Sequence, residues 1–242
     1  MTVSVNRLSK SYGTGWAVHD ISFSIEPGEI YGLLGANGAG KTTTLRMLST
    51  LLQPTSGDAF VCGVSVQADP IQVRSKVGYL TGDTGLYDRL SPRELLTYFG
   101  ELHGTRRTAI AKRIEWLAEG LGMGELLDRS CGTLSTGEKQ RVNIGRALIH
   151  DPDVLIFDEA TSGLDIVSSQ FILEALREEK ERGKTILVST HILAEAELLC
   201  DRIGLIHSGR LHAEGTLDEL LTKLEVPSLA EGMLRVARGE GS

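Results

Sequence analysis

The 242-residue sequence predicts an α/β fold: a mostly parallel core sheet, an antiparallel β edge and a helical subdomain. Three observations lead there. Short runs of apolar β-formers recur along the chain, helical patterns separate several of them, and the alternation breaks once, between Ser91 and Gly132, where amphipathic helix replaces strand.

Taken in order, Val18 to Ile25 is the first of the recurring apolar runs, while Val3 to Leu8 and Gly57 to Val61 add strands to one side, where the N-terminal part reads as an antiparallel β edge. Ile30 to Leu34 is a short apolar run of the kind a doubly covered parallel strand needs, and a helical pattern from Lys41 to Leu51 follows it. Val77 to Leu80 supplies the next strand. Ser91-Pro92-Arg93-Glu94 then places a cap, a first-turn proline and a third-position glutamate ahead of Leu95, Leu96, Tyr98 and Phe99, which announces a helix. Arg106 to Gly120 continues with Ile110, Ile114, Leu117 and Ala118 at three- and four-residue spacing. The result is a helical insert of about forty residues. Leu134 to about Ile149 reads as one more long helix, and Val154 to Phe157, Thr185 to Ser189 and Ile203 to Ile206 complete the parallel strands. The stretch from Val226 to Ser242 ends in glycine and polar residues and is expected to be partly disordered.

Charge and composition narrow the classes. Lys and Arg number 25 against 32 Asp and Glu, a net charge of −7, which excludes a generally basic nucleic-acid binder. The longest apolar runs fall far short of the roughly 20 residues a bilayer span needs. Met1 to Val5 carries no secretory pattern, and Cys62, Cys131 and Cys200 are too few and too scattered for a disulfide framework or a zinc site, so a reducing, cytoplasmic setting is expected.

The strongest motif is Gly35-Ala36-Asn37-Gly38-Ala39-Gly40-Lys41-Thr42, which satisfies G-x-x-x-x-G-K-[ST] between a strand and a helix. Its glycines let backbone NH groups converge on phosphate oxygens at the positive end of the following helix. Lys41 is assigned to the β- and γ-phosphates, Thr42 to Mg²⁺ and Thr43 to the α-phosphate. A second strand ends in Asp158-Glu159, at the end where open parallel sheets bind ligands. Asp158 is assigned to Mg²⁺ through water, and Glu159 to orienting and polarising the attacking water.

Leu134-Ser135-Thr136-Gly137-Glu138-Lys139-Gln140-Arg141 opens the long helix. Ser135 and Glu138 form a capping box in purely local terms; Gly137 lies outside that account and marks a second place where phosphate can approach exposed NH groups. With these motifs in place, the sequence resembles the ATP-binding cassette (ABC) ATPases, P-loop NTPases whose L-S-G-G-Q signature stands here as LSTGE, with Thr136 and Glu138 at the variable positions. The resemblance runs from about Val3 to Leu221.

The resemblance implies an ABC ATPase domain over 1–221, a helical subdomain at about 91–132 joined by the signature helix 135–149, and a short tail at 222–242. Tyr12 looks like the aromatic that stacks on adenine, Ser162-Gly163-Leu164-Asp165 like the loop through which two cassettes communicate, and His191 like the switch histidine on the γ-phosphate. Glu159 and His191 are then the catalytic pair, and Ser135, Thr136, Gly137 and Glu138 face the ATP of a partner subunit. Two departures stand out. Gly82 occupies the usual glutamine position, with Asp83 beside it as an alternative oxygen ligand, and Ala160 replaces a usual proline. The implied function is ATP- and Mg²⁺-dependent hydrolysis in a bacterial ABC transporter of export type, with sodium ion or drugs as candidate cargo. The implied partners are a second cassette, identical or not, and transmembrane permease subunits reached through the region from Thr81 to Arg89, on the inner face of the cell membrane. A soluble cassette acting on nucleic acid or the ribosome is the alternative, although the acidic charge argues against nucleic acid; a small-metabolite kinase is more distant.

Overall fold

The computed structural model describes residues 1–13, 15–81 and 85–239, with the side chains of all but Ile166 and Val167. The Gly82 departure and the Asp83 alternative therefore lie outside the described residues.

Strands run in chain order as β1 (Val3–Tyr12), β2 (Gly15–Ile25), β3 (Ile30–Leu34), β4 (Ser56–Val61), β5 (Val64–Ser65) and β6 (Val77–Thr81). They continue as β7 (Val154–Asp158), β8 (Thr185–Thr190), β9 (Arg202–His207) and β10 (Arg210–Gly215). The helices are α1 (Lys41–Leu48), α2 (Pro70–Lys76), α3 (Pro92–Leu102), α4 (Arg107–Gly120), α5 (Thr136–Leu148), α6 (Ile166–Glu181), α7 (Leu193–Leu199), α8 (Leu217–Lys223) and α9 (Leu229–Ala237).

Among the described residues the strands make two sheets. The antiparallel strands do not simply edge the parallel sheet; they form a sheet of their own in the order β2-β1-β4-β5. The second sheet runs β10-β9-β3-β8-β7-β6, parallel from β9 to β6 and closed at one edge by the β9–β10 hairpin. Every residue of β3, β7 and β8 is buried, the consequence of covering a parallel sheet on both faces. On one face, α1 contributes Leu45 and Met47 to a core shared with Phe23 and Val61 of the antiparallel sheet and Ile156 and Leu187 of the parallel one. On the other, Leu96, Ile114, Val142 and Ile172 pack with Leu155, Phe157 and Ile186. The helical insert thus shares its core with the sheet through α5 and α6.

Over its described residues, as far as Gly239, the C-terminal segment is largely helical where partial disorder was expected. Helix α8 crosses the 221 boundary, and α9 packs through Leu229 and Val236, each 1% exposed, in a core with Ile203 and Leu220. Ser228 caps α9 by accepting from the Glu231 amide. Leu229, Met233 and Val236 are four and three residues apart, a helical stripe that the surrounding glycines and charges obscure. The helix after the phosphate-binding motif stops at Leu48 rather than Leu51.

Candidate active site

Strand β3 delivers the chain to the C-terminal edge of the parallel sheet, where Gly35 to Gly40 turn into α1. Two glycines are demanded by space. A Cβ on Gly35 would stand 2.3 Å from the Ile206 carbonyl oxygen, and Gly40, at φ +110°, would bring one to 2.7 Å from the Ala17 carbonyl oxygen. The loop borders a cleft of about 340 Å³ whose walls are Ala17, Asn37, Gly38, Gly40, Lys41, Thr42, Thr43 and Glu159.

Lys41 is 4% exposed, and its ammonium donates to the carbonyl oxygens of Gly35 at 2.7 Å and Ala36 at 3.2 Å. It also lies 3.2 Å from Glu159 Oε1, while His191 Nδ1 lies 3.4 Å from Glu159 Oε2. A buried cation is tolerated here because oxygen acceptors surround it. Glu159 has φ +51°, a left-handed conformation unusual for a residue with a side chain. Its amide donates to the Ser189 carbonyl and Oγ, which holds the sharp turn that lifts the carboxylate out of the strand line.

Asp158 is buried. Its Oδ1 accepts from Thr42 Oγ1 at 3.1 Å and from Ser189 Oγ at 2.6 Å, and the Tyr79 hydroxyl stands 3.5 Å from Oδ2. Burial first, and Asp158 second, push the Tyr79 hydroxyl pKa up to about 12, so the phenol stays a neutral donor beside the carboxylate. Thr42 and Asp158 together present a hydroxyl and a carboxylate, a hard-oxygen pair of the type Mg²⁺ accepts when phosphates complete its shell.

Not every expected residue joins this cleft. Tyr12 ends β1 at 56% exposure, with Lys10 Nζ 5.6 Å from its ring centroid, and it is not among the cleft walls. Ser135 to Glu138 open α5 elsewhere. Ser135 Oγ accepts from the Glu138 amide, and Glu138 Oε2 accepts from the Ser135 amide at 2.7 Å, so the capping box is formed. Gly137 has a further cause within the chain: a Cβ there would lie 2.4 Å from Ser168 Oγ, because α6 crosses the start of α5. Asp165 caps α6, accepting from the Ser168 amide at 2.9 Å and from Ser168 Oγ at 2.7 Å, which fixes the hydroxyl that faces Gly137. Ser189 and Tyr79 were missed by sequence reasoning, since a serine near the end of β8 and a tyrosine within β6 belong to no motif.

The profile of the family described as "ABC transporter" matches residues 18–162. The chain is 48% identical over 205 residues to the ABC transporter ATP-binding protein NatA of Bacillus subtilis (strain 168), covering 84% of this chain and 83% of that protein. It is 38% identical to the linearmycin resistance ATP-binding protein LnrL of the same organism, over 92% of this chain and 71% of that one. Among solved structures, one described as the ATP-binding subunit of an ABC transporter superposes with a TM-score of 0.90 at 32% identity, covering 98% of this chain and 99% of that chain.

Proposed function

Because the chain belongs to the ABC transporter family, as an ATP-binding subunit and an ATPase coupled to transport, we propose that it drives export by closing on a second cassette around ATP. One observation carries the assignment of residues: Lys41, Thr42, Asp158, Glu159 and His191, drawn from three strand ends, converge beside one cleft.

In this reading the NH groups from Gly38 to Thr43 cradle the triphosphate, and Lys41 shifts from Glu159 to the β- and γ-oxygens. Mg²⁺ held by Thr42 and Asp158 would neutralise charge on the phosphate oxygens. The Glu159 carboxylate orients a water towards the γ-phosphorus and accepts its proton as the bond to the ADP oxygen breaks. His191 donates to a γ-phosphate oxygen, and Tyr12 stacks on the adenine.

Ser135, Thr136, Gly137 and Glu138 serve the ATP of the partner cassette. The Ser135 oxygen that accepts from Glu138 keeps a proton to donate outward, at the positive end of α5. Asp165, fixed by Ser168, carries the communication between the two copies. Residues 91–132 with α5 act as the subdomain that presents this face. Among the described residues no helix is long and apolar enough to cross a membrane. We place the chain on the cytoplasmic side of the cell membrane, against permease subunits that carry the cargo, with sodium ion or drugs as candidates. A groove of about 240 Å³ bordered by Leu51, Tyr79, Phe99 and His103 offers an apolar surface suited to that contact.

The test is assembly state. With Mg-ATP, Glu159→Gln should run at twice the monomer mass by light scattering, and adding Ser135→Arg should return it to monomer. A single-mass particle under both conditions would reject the sandwich.

A further inference from the structure

We propose that Glu195 is a positioning residue for hydrolysis, a carboxylate that sets the distance between Glu159 and His191 by bridging the two segments that carry them. The inference rests on the roles proposed above for those two residues.

Glu195 lies in the first turn of α7, outside the cleft walls. Its Oε2 accepts from Thr161 Oγ1 at 2.8 Å and from Thr190 Oγ1 at 3.2 Å. Thr161 is two residues after Glu159, and Thr190 immediately precedes His191. Thr190 Oγ1 in turn accepts from the Ile192 amide at 2.9 Å, so the backbone on both sides of His191 is tied to the same group. From the opposite side, the buried Gln140 side chain donates to the Ala160 carbonyl at 2.8 Å. The left-handed Glu159 thus sits in a turn anchored at Ala160 and Thr161, which is what an unfavourable backbone conformation requires to persist.

Both threonines are buried, and they border, with Glu195, a cavity of about 20 Å³ walled by Phe157, Leu173 and Val188. That is room for about one water. Truncating Glu195 would let water satisfy the hydroxyls, but a water does not hold two chain segments at a set separation. A displacement of the order of 1 Å between reacting groups is enough to lower turnover by about a hundredfold.

Steady-state Mg-ATP hydrolysis and nucleotide binding by the purified chain decide the matter. Glu195→Ala should lower kcat by about tenfold to a hundredfold while the KM for ATP stays within about threefold. Glu195→Gln should recover to within about threefold of wild type, because the amide oxygen still accepts from both hydroxyls. Adding Thr161→Val to Glu195→Ala should cost no more than Glu195→Ala alone, the non-additivity of one shared bridge. Unchanged kcat in Glu195→Ala, a Gln variant as slow as the Ala variant, or fully additive losses would each overturn the proposal. Should Glu195→Ala fail to fold, Thr161→Val and Thr190→Val decide it: a loss of more than about threefold in kcat in both supports the bridge, and wild-type rates overturn it. Glu159→Gln separates the two levels. If it is inactive and Glu195→Ala runs at full speed, the bridge alone fails; if it hydrolyses ATP at the wild-type rate, the assignment of Glu159 fails and the bridge with it.

Discussion

The ammonium of Lys41 lies 3.2 Å from a carboxylate oxygen of Glu159, so the residue assigned to phosphate binding and the residue assigned to water activation are partners before either meets a substrate. A phosphate entering the loop competes with Glu159 for that cation. Replacing Glu159 by Gln removes the competing charge along with the proton acceptor. The expected outcome is a loss of turnover of about a hundredfold or more together with a several-fold gain in ATP affinity, read by single-turnover kinetics and calorimetric titration. Hydrolysis without loss, or weakened affinity, would contradict the pairing.

Lys41→Ala tests the other partner. Its ammonium also holds the Gly35 and Ala36 carbonyls, so the variant should melt somewhat earlier even without nucleotide. The larger effect should be on binding: ATP affinity at least about tenfold weaker, and the ATP-induced rise in Tm largely abolished. An undiminished ATP shift in thermal melts would remove Lys41 from the phosphate site.

Gly137 is constrained by Ser168 within the same chain. Gly137→Ala should destabilise the fold by about 1–3 kcal/mol in urea unfolding through overpacking where α5 meets α6. Adding Ser168→Ala, which removes the hydroxyl nearest the new methyl, should restore part of that loss. If Gly137→Ala is as stable as wild type yet loses partner-dependent hydrolysis, the glycine serves the ligand face alone.

His150 supplies a pH dependence. Its ring stacks on His103 at 3.7 Å, and burial, reinforced by His103, lowers its pKa to about 4. Lys184 lowers it further, while Asp151 and the Val77 carbonyl oppose the shift. The folded value lies below the ordinary 6.5, so between the two the unfolded chain binds more protons. Stability from this group is complete above about pH 6.5 and falls by up to about 3 kcal/mol as the pH drops towards 4. Urea midpoints at pH 7 and 5 should differ in this direction, and His150→Phe should flatten the slope. An equal slope in that variant would assign the acid sensitivity to other groups.

Local features were legible because their causes are local. The capping boxes at Ser91 and Ser135 depend on residues three apart, and both are formed. The glycine-rich turn from β3 into α1 was legible because its glycines and Lys41 are contiguous. Helix α9 was not, since its stripe is short and its burial comes from α8 and β9. The second cause of Gly137 was equally hidden, because Ser168 is thirty-one residues away.

The sequence by itself determined the chemistry present: which residues are assigned to phosphate, which strand ends in paired acids, and where several helices begin. Only the tertiary structure decided who meets whom. Thr42 reaches Asp158 because β3 and β7 flank β8 in one sheet, and Ser189, on that middle strand, holds both Asp158 and the turn of Glu159. Hydrogen bonds between strands distant in sequence depend on sheet order, and sheet order follows from burying apolar faces across the whole chain rather than from any one segment.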